Sequence, residues 1–228
     1  MIERPSFRDL EHNTRFTFVR HGESEANKLN IIQGHSDSPL SEVGRKHARA
    51  AGQWLTGTEI DLILTSPLSR SHETAKIVAE EAGTSTPEVL EELKELDTGV
   101  YSGKTLHDSS QEDPEAFKSF LVHSWEIVDG AESRESILSR ALVVWDRLVT
   151  EANGGRRHIV CVTHGGMLQW IIKATIGVPD QRWMPIFAIA NCGISTFSAE
   201  STSLGHDEAL RPNTGFYGNW EQINYVPY

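Results

Sequence analysis

Short apolar runs alternate with amphipathic segments along most of the chain. The apolar runs are rich in β-branched and aromatic residues, which is typical of buried strands. The segments between them carry apolar or small residues at helical spacing. The pattern predicts strands over 16–19, 60–64, 158–162, 186–190 and 193–197, and helices over 41–56, 66–81, about 114–122, about 133–152 and 167–176.

Residues that favour helix ends mark several of these boundaries. Ser41 stands at the N-cap position of the first predicted helix. Pro67 falls in the first turn of the second predicted helix, and Gly83 follows its last residues. Arg70 is therefore predicted to lie in the first turn of that helix, where unpaired backbone N–H groups favour anions.

The alternation of strands and helices predicts a three-layer α/β/α fold with a mostly parallel central sheet. The length favours one domain over residues 1–228, and the less periodic residues at about 100–130 are interpreted as an excursion on its rim, the lid segment. Ligands of such sheets bind beyond the carboxyl ends of the strands. His21 and His164 both follow predicted strands, so we expect them to converge on one site.

The acidic balance of the chain limits what it binds. Its 21 Lys and Arg residues against 32 Asp and Glu residues give a formal net charge of −11, which disfavours nucleic acid and anionic lipid as partners. A site for a small anion must then be a local concentration of cationic side chains.

The sequence also favours a cytoplasmic protein that does not interact with membranes. No apolar run reaches the length of a transmembrane helix, and residues 1–15 are too charged for a signal peptide. Cys161 and Cys192 are too few for a disulfide framework. The oligomeric state has no signature in the sequence.

Three separate segments supply the groups that a phosphate site needs. Arg20 and His21 lie side by side at a strand end, and a neutral imidazole there can take up a phosphoryl group, which splits one difficult displacement into two. Arg70 can clamp a phosphate through two N–H donors. His164 adds a second imidazole, and Gly165 with the glycine after it lets backbone N–H groups approach an oxyanion. A lone histidine is more often structural, so the prediction depends on the three segments together.

The same segments resemble, in order, the characteristic blocks of the histidine phosphatase superfamily, in its phosphoglycerate mutase-like branch. The blocks lie within residues 16–198, and five of them in one chain are far more specific than the first alone. They are RHGESEAN at 20–27, QGHSDSPLSEVG at 33–44, SPLSRSHETA at 66–75, ELKELDTGVYSGKT at 92–105 and VTHGGML at 162–168.

The resemblance implies a phosphoglycerate mutase-like fold and a role for each matching residue. His21 becomes the phosphorylated nucleophile and Glu95 the proton donor, with His164 as the second histidine. The implied phosphate and pocket contacts come from Asn27, Gln33, Gly34 and Arg70.

Glu95 also has a chemical rationale, because an alkoxide that leaves a phosphomonoester needs a proton from a nearby acid. Glu92 lies in the same acidic run and is the alternative donor, but the spacing to Gly99 favours Glu95. The arginines and His164 supply the charge stabilisation that a metal gives elsewhere, so the scheme needs neither a metal nor another cofactor.

Other classes of phosphoryl-transfer enzyme lack their required residues in this sequence. The ten histidines show no metal-ligand spacing, the residues after Cys161 contain no anion loop that ends in Arg, and GxxxxGK[ST] is absent. The predicted function is hydrolysis of a small phosphorylated metabolite. Two alternatives stay open, namely a cofactor-dependent phosphoglycerate mutase and a non-catalytic protein that binds a phosphorylated ligand.

The lid segment favours hydrolysis over the mutase alternative. It contains Lys104 and Lys118 against six acidic residues between 104 and 130, and such a segment should repel a bisphosphate. Ala26 and Tyr101-Ser102 depart from the family's usual residues, which points to an unusual pocket for the leaving group. Trp125 and two histidines of the lid segment, His107 and His123, are interpreted as packing residues, and the tail over 200–228 receives no role.

Overall fold

A six-stranded sheet with helices on both faces organises the part of the chain that the structure describes. The structure is a computed structural model and describes residues 5–7, 10–176, 187–200 and 218–228. The strands are β1 Thr14–Arg20, β2 Leu62–Thr65, β3 Glu88–Val89, β4 His158–Thr163, β5 Ile194–Ala199 and β6 Gly218–Tyr225. The helices are α1 Glu25–Lys28, α2 Glu42–Leu55, α3 Ser69–Ala82, α4 Leu106–Glu112, α5 Pro114–His123, α6 Arg134–Asn153 and α7 Gly165–Ile176.

The sheet has the strand order β3-β2-β4-β1-β5-β6. The first four strands in this order are parallel, while β5 pairs antiparallel with both β1 and β6. Strands β1 and β4 are direct neighbours, with Arg20 opposite Thr163. The next residues, His21 and His164, therefore leave the sheet side by side, and their predicted convergence is confirmed.

Helices cover both faces of the sheet, so the predicted three-layer α/β/α fold is confirmed. Alternate strand residues point to opposite faces, and Ile63 and Val160 belong to the core under α2 and α3. On the other face, α6 and α7 pack around the fully buried Trp145, whose ring contacts Phe16 and other aromatic side chains. Replacing an aromatic residue this deep in a core by Ala costs about 3–5 kcal/mol.

The predicted helix ends lie within a few residues of the observed ones. The Ser41 hydroxyl accepts the Gly44 N–H at 3.0 Å at the start of α2, and α3 ends at Gly83 in the left-handed conformation. However, α3 begins at Ser69, so Pro67 precedes the helix and does not lie in its first turn. Arg70 remains in the first turn. Helix α7 begins two residues before its predicted start.

The predicted strand over 186–190 is wrong for its described part, residues 187–190, while residue 186 lies outside the described residues. The backbone groups of this segment bind side chains from elsewhere in place of a neighbouring strand. The Ile189 carbonyl accepts a hydrogen bond from Arg20 at 2.6 Å, and the Ala190 N–H donates to Asn224 Oδ1 at 2.7 Å. The apolar composition of this run predicts a strand, but the run forms a loop at the edge of the site.

The helix predicted over about 114–122 is confirmed as α5, whereas α4 in the lid segment and β6 near the end of the chain are elements that the pattern did not predict. Helices α4 and α5 and a 3₁₀ turn over Ser124–Ile127 form the lid segment, which is fastened by isolated bridges between Ile31 and Thr105 and between Thr98 and Ala131. Strand β6 continues the sheet beyond β5, so part of the tail has a structural place. Residues 201–217 of the tail lie outside the described residues.

Candidate active site

His21 lies at the carboxyl end of β1 and is 2% exposed. Its backbone N–H donates to the Thr163 carbonyl at 2.9 Å, which fixes it beside β4. Its ring Nδ1 lies 2.7 Å from the Gly22 carbonyl oxygen. A carbonyl can only accept, so Nδ1 carries the ring hydrogen and Nε2 keeps its lone pair. This tautomer leaves Nε2 as the nucleophilic atom.

The surroundings of His21 keep its ring uncharged. Burial lowers its pKa well below the ordinary value of 6.5, and the positive charges of Arg20 and Arg70 lower it further. The hydrogen bond to Gly22 opposes this effect without reversing it. A neutral imidazole at physiological pH is the form that attacks phosphorus.

His164 lies behind His21, with the two ring centres 5.0 Å apart, and is fully buried. Its Nε2 lies 2.8 Å from Ser66 Oγ, and this hydroxyl also accepts the Leu68 N–H at 3.3 Å. A serine hydroxyl can accept from two donors, so this contact fits either ring tautomer, and in the one whose Nε2 accepts the hydroxyl hydrogen, Nδ1 carries the ring hydrogen. Burial lowers the pKa of His164 well below its ordinary value, followed by the effects of His21 and the two arginines.

Arg20 and Arg70 are held by carbonyl oxygens. Arg20 donates to the Ile189 carbonyl, and Arg70 donates to the carbonyls of Gly34 and Ser36, both at 2.8 Å. Burial lowers the pKa of both guanidinium groups, and the charge of Glu95 opposes this. Because carbonyl oxygens orient a guanidinium without neutralising it, both arginines keep a full charge next to His21.

Three buried nitrogens around His21 have no hydrogen-bond partner among the described residues. They are Nε of Arg20, Nε of Arg70 and Nδ1 of His164; the two arginine nitrogens carry a hydrogen to donate, and Nδ1 carries one in the tautomer whose Nε2 accepts from Ser66. Unpaired buried donors are costly and rare in folded proteins. Three unpaired buried nitrogens on side chains around one imidazole are explained by an anion with several acceptor oxygens, such as a phosphoryl group.

Glu95 places a carboxylate in the same cavity. One of its oxygens accepts the Met167 N–H at 3.0 Å and the Leu96 N–H at 2.9 Å, and the other accepts the Gly166 N–H at 3.2 Å. A Cβ on Gly166 would lie 2.5 Å from Glu95 Oε1, so only glycine allows this approach. The start of α7 therefore fixes Glu95.

A cavity of about 250 Å³ joins most of the predicted residues. Asn27 and Gln33 line it, and the side-chain oxygens of both residues lie within 3.1 Å of the same atom, Ser24 Oγ. Gly34 lines it with a φ of 50°, in the left-handed region. The predicted residues that line this cavity are Arg20, His21, Asn27, Gln33, Gly34, Arg70 and Glu95.

The other two predicted residues have different positions. His164 is not among the residues that line the 250 Å³ cavity, and it contacts the site from behind His21. Gly165 lines an adjoining cavity of about 310 Å³ and packs against the Arg20 guanidinium. Glu92, the alternative acid, does not line either of these cavities, whereas Glu95 lines both.

Sequence reasoning missed two residues that hold the site together. Asn191 donates to the His21 carbonyl at 3.0 Å and to Asn27 Oδ1 at 3.2 Å, and Ser66 holds His164. Ser66 stands in a recognised block, where its position after a strand was a usable signal. Asn191 lies 170 residues from His21 and had no such signal.

Two further findings concern the rest of the molecule. A larger cavity of about 510 Å³, which includes Arg15 and His158, lies at the amino ends of β1 and β4 and contains none of the predicted residues. Within the described ranges, no helix combines the length and apolar character needed to cross a bilayer, and no three His, Cys, Asp or Glu side chains are grouped for a metal ion.

Comparisons with known proteins agree with this geometry. An Arabidopsis thaliana metal-independent phosphoserine phosphatase is 33% identical over 192 residues, covering 75% of this chain and 79% of the relative. A 2,3-bisphosphoglycerate-dependent phosphoglycerate mutase of Parvibaculum lavamentivorans is 33% identical over 159 residues, covering 68% and 76%.

The solved structure of a mycobacterial glucosyl-3-phosphoglycerate phosphatase is similar to this fold with a TM-score of 0.75 and 26% sequence identity, covering 93% of this chain and 99% of that one. Residues 16–205 match the histidine phosphatase superfamily, branch 1. The chain therefore belongs to branch 1 of the histidine phosphatase superfamily and is an enzyme of the histidine phosphatase type.

Proposed function

We propose that this chain hydrolyses phosphomonoesters of small metabolites through a phosphohistidine on His21, without a metal or other cofactor. The observation that carries the proposal is the set of three unpaired buried nitrogens, on Arg20, Arg70 and His164, around a neutral imidazole whose Nε2 is free to attack. The relatives with phosphatase names support the same activity.

In the first step, His21 Nε2 attacks phosphorus, and the bond from phosphorus to the ester oxygen breaks. Glu95, in its carboxylic acid form, gives its proton to the leaving oxygen, so that a neutral alcohol departs. The two arginines and the Nδ1–H of His164 donate to the phosphoryl oxygens as charge develops on them.

In the second step, the Glu95 carboxylate takes a proton from a water molecule that attacks phosphorus. The bond from phosphorus to Nε2 breaks, which releases inorganic phosphate and restores neutral His21. Glu95 is again protonated, ready for the next ester. The cycle consumes one water molecule for each ester bond broken.

The lid segment favours water over a second substrate as the phosphoryl acceptor. Its two lysines are already paired within the segment, Lys104 with Glu112 and Lys118 with Glu115. A mutase must hold a substrate that carries both a carboxylate and phosphates, and these lysines offer it no free cation. Phosphoglycerate mutase activity is the second candidate because a mutase is among the relatives.

The single catalytic domain over 1–228, with residues of about 100–130 as its lid segment, is part of this proposal. The cytoplasmic location and the absence of nucleic-acid and membrane partners stay predictions from the sequence. The substrate class of small phosphorylated metabolites is supported by what the named relatives act on.

The test is hydrolysis of p-nitrophenyl phosphate in EDTA, with rapid quenching of ³²P-labelled enzyme. We expect turnover and an acid-labile label, both lost in His21→Ala and kept in the control His107→Ala, whose ring is exposed. Label that passes to 3-phosphoglycerate and hardly to water would favour the mutase. Absence of both label and turnover over a broad ester panel would leave the non-catalytic binding protein.

A further inference from the structure

The 250 Å³ cavity has two chemically different ends. The cationic and amide side chains described above surround His21. The remaining wall is formed by Ile31, Ile32, Leu96, Thr98 and Trp125. Four of these five are apolar, and the fifth offers only a hydroxyl, so this wall carries no formal charge.

The adjoining 310 Å³ cavity continues this surface. It shares Leu96 and Trp125 with the first cavity and adds Trp170, Phe187 and Ile189. Gln169 also lines it, but its side-chain amide is bonded to the Phe187 backbone through both its nitrogen and its oxygen. Apart from Arg20 and Glu95, the lining of the second cavity is therefore apolar or already paired.

Trp125 is the residue that the two cavities share on the lid segment. Its ring packs edge-on against Phe120 and Tyr101, with ring centres 5.0 and 6.1 Å away, and it also packs on the main core. It is only half-buried, which leaves part of the ring open to the cavities. The interpretation of Trp125 as a packing residue thus covers only one of its two contacts.

A leaving group that carries a carboxylate would find no cation among the described residues that form this wall. Arg20 and Arg70 belong to the phosphate end, and the lysines of the lid segment are paired with Glu112 and Glu115. An unpaired carboxylate that loses its water against Ile and Trp side chains costs much more than an apolar group of the same size. The wall therefore selects against charged leaving groups.

We propose that the preferred substrates are phosphomonoesters whose leaving alcohol is uncharged and carries an apolar, preferably aromatic, group that packs on Trp125. This inference depends on the proposed phosphatase function and adds the substrate class. It sets the chain apart from the relatives named for phosphoserine and phosphoglycerate, since both of those leaving groups carry a carboxylate. Trp125 is then a residue that determines specificity.

The test compares esters whose leaving groups are all alkyl alcohols, so that intrinsic reactivity does not decide the result. We expect kcat/KM for 2-phenylethyl phosphate to exceed that for 3-phosphoglycerate and for phosphoserine by about tenfold or more. Equal or higher kcat/KM for either carboxylate ester would overturn the inference. The phosphatase proposal would still stand, because the acid-labile label on His21 is measured separately.

Variants then assign the preference to the wall. Trp125→Ala should lower kcat/KM for 2-phenylethyl phosphate about tenfold and leave 3-phosphoglycerate unchanged, while Trp125→Phe should keep most of the preference. Leu121→Ala is the control in the same segment, since that side chain is 60% exposed. A loss of equal size on both esters, or none on either, would contradict the role of Trp125.

A second variant keeps the test independent of the folding of Trp125→Ala. Ile31→Lys adds a cation to the apolar wall, and we expect it to raise kcat/KM for 3-phosphoglycerate relative to 2-phenylethyl phosphate about tenfold. An unchanged ratio in a folded Ile31→Lys enzyme would show that this wall does not contact the leaving group. Failure of every variant and the wild type to hydrolyse any ester would overturn the phosphatase proposal itself.

Discussion

Acid should destabilise the folded chain through its buried histidines, and replacing His164 should remove the share that this residue contributes. His21 and His164 are both buried, and the pKa of each lies well below 6.5 in the folded chain. In the unfolded chain each returns to its ordinary pKa of about 6.5. The two states therefore bind different numbers of protons below neutral pH.

This difference in bound protons determines whether the free energy of unfolding rises or falls with pH. At pH values well above 6.5 both states hold neutral histidines, so these groups make no contribution. As the pH falls below about 6.5, the unfolded chain takes up protons that the folded chain does not, and the free energy of unfolding falls until the folded pKa is reached. Each histidine that stays neutral in the folded chain lowers the free energy of unfolding by about 1.3 kcal/mol between about pH 7.5 and 5.5.

The measurement is urea unfolding, followed by tryptophan fluorescence, at about pH 7.5, 6.5 and 5.5 in phosphate-free buffer. Phosphate is left out because an anion that binds only the folded state would add stability of its own. The variant His164→Gln should lose about 1.3 kcal/mol less than wild type over this range, whatever its stability at pH 7.5.

The control is His107→Gln, because that ring is exposed in the folded chain. It should show the same pH dependence as wild type. Equal losses in wild type and His164→Gln would mean that His164 takes up its proton in the folded chain as easily as in the unfolded one. The argument that burial and the arginines hold His164 neutral would then fail.

Two further predictions concern the position of the acid Glu95 and the position of Asn191, which follows the loop over residues 187–190. Gly166→Ala should push the Glu95 carboxylate from its amide donors, and kcat for 2-phenylethyl phosphate should fall about 100-fold but less than tenfold for p-nitrophenyl phosphate, whose leaving group needs no proton. Equal losses on both esters would contradict this role of Glu95. Tyr228→Phe should remove the 2.7 Å bond to the Asn191 carbonyl, lowering the free energy of unfolding by about 1 kcal/mol and kcat by about threefold, with Tyr225→Phe as the control. An unchanged kcat would mean that the tail does not help to position Asn191.

The fold and the histidine pair were predictable because their signals are local. A short apolar run that ends in His-Gly appears twice, and parallel neighbouring strands bring both ends to one edge of the sheet. Family membership and the phosphatase type are likewise confirmed. The roles of the individual residues, such as Glu95 as the acid, stay predictions until the variants are measured.

The elements that the sequence pattern predicted wrongly or did not predict depend on contacts with other segments of the chain. The run at 187–190 has the composition of a strand, but its polar backbone atoms bind Arg20 and Asn224. Strand β6 contains few alternating apolar residues, and it gains its place by pairing with β5. No pattern within either segment identifies the partner, because each partner lies in a different segment of the chain.

The net charge of −11 predicts that a phosphate site needs a local concentration of cations. The structure shows why the net charge understates the positive charge that is available there. Away from the site, cations are offset by acids, as Arg45 is by Glu73 and Arg140 by Glu132. Arg20 and Arg70 are held by carbonyl oxygens in place of carboxylates, and the one carboxylate among the predicted residues, Glu95, is held by backbone N–H groups. The backbone thus orients Glu95 and the two arginines without pairing them with one another, and the positive charges of the arginines remain available to an incoming phosphate.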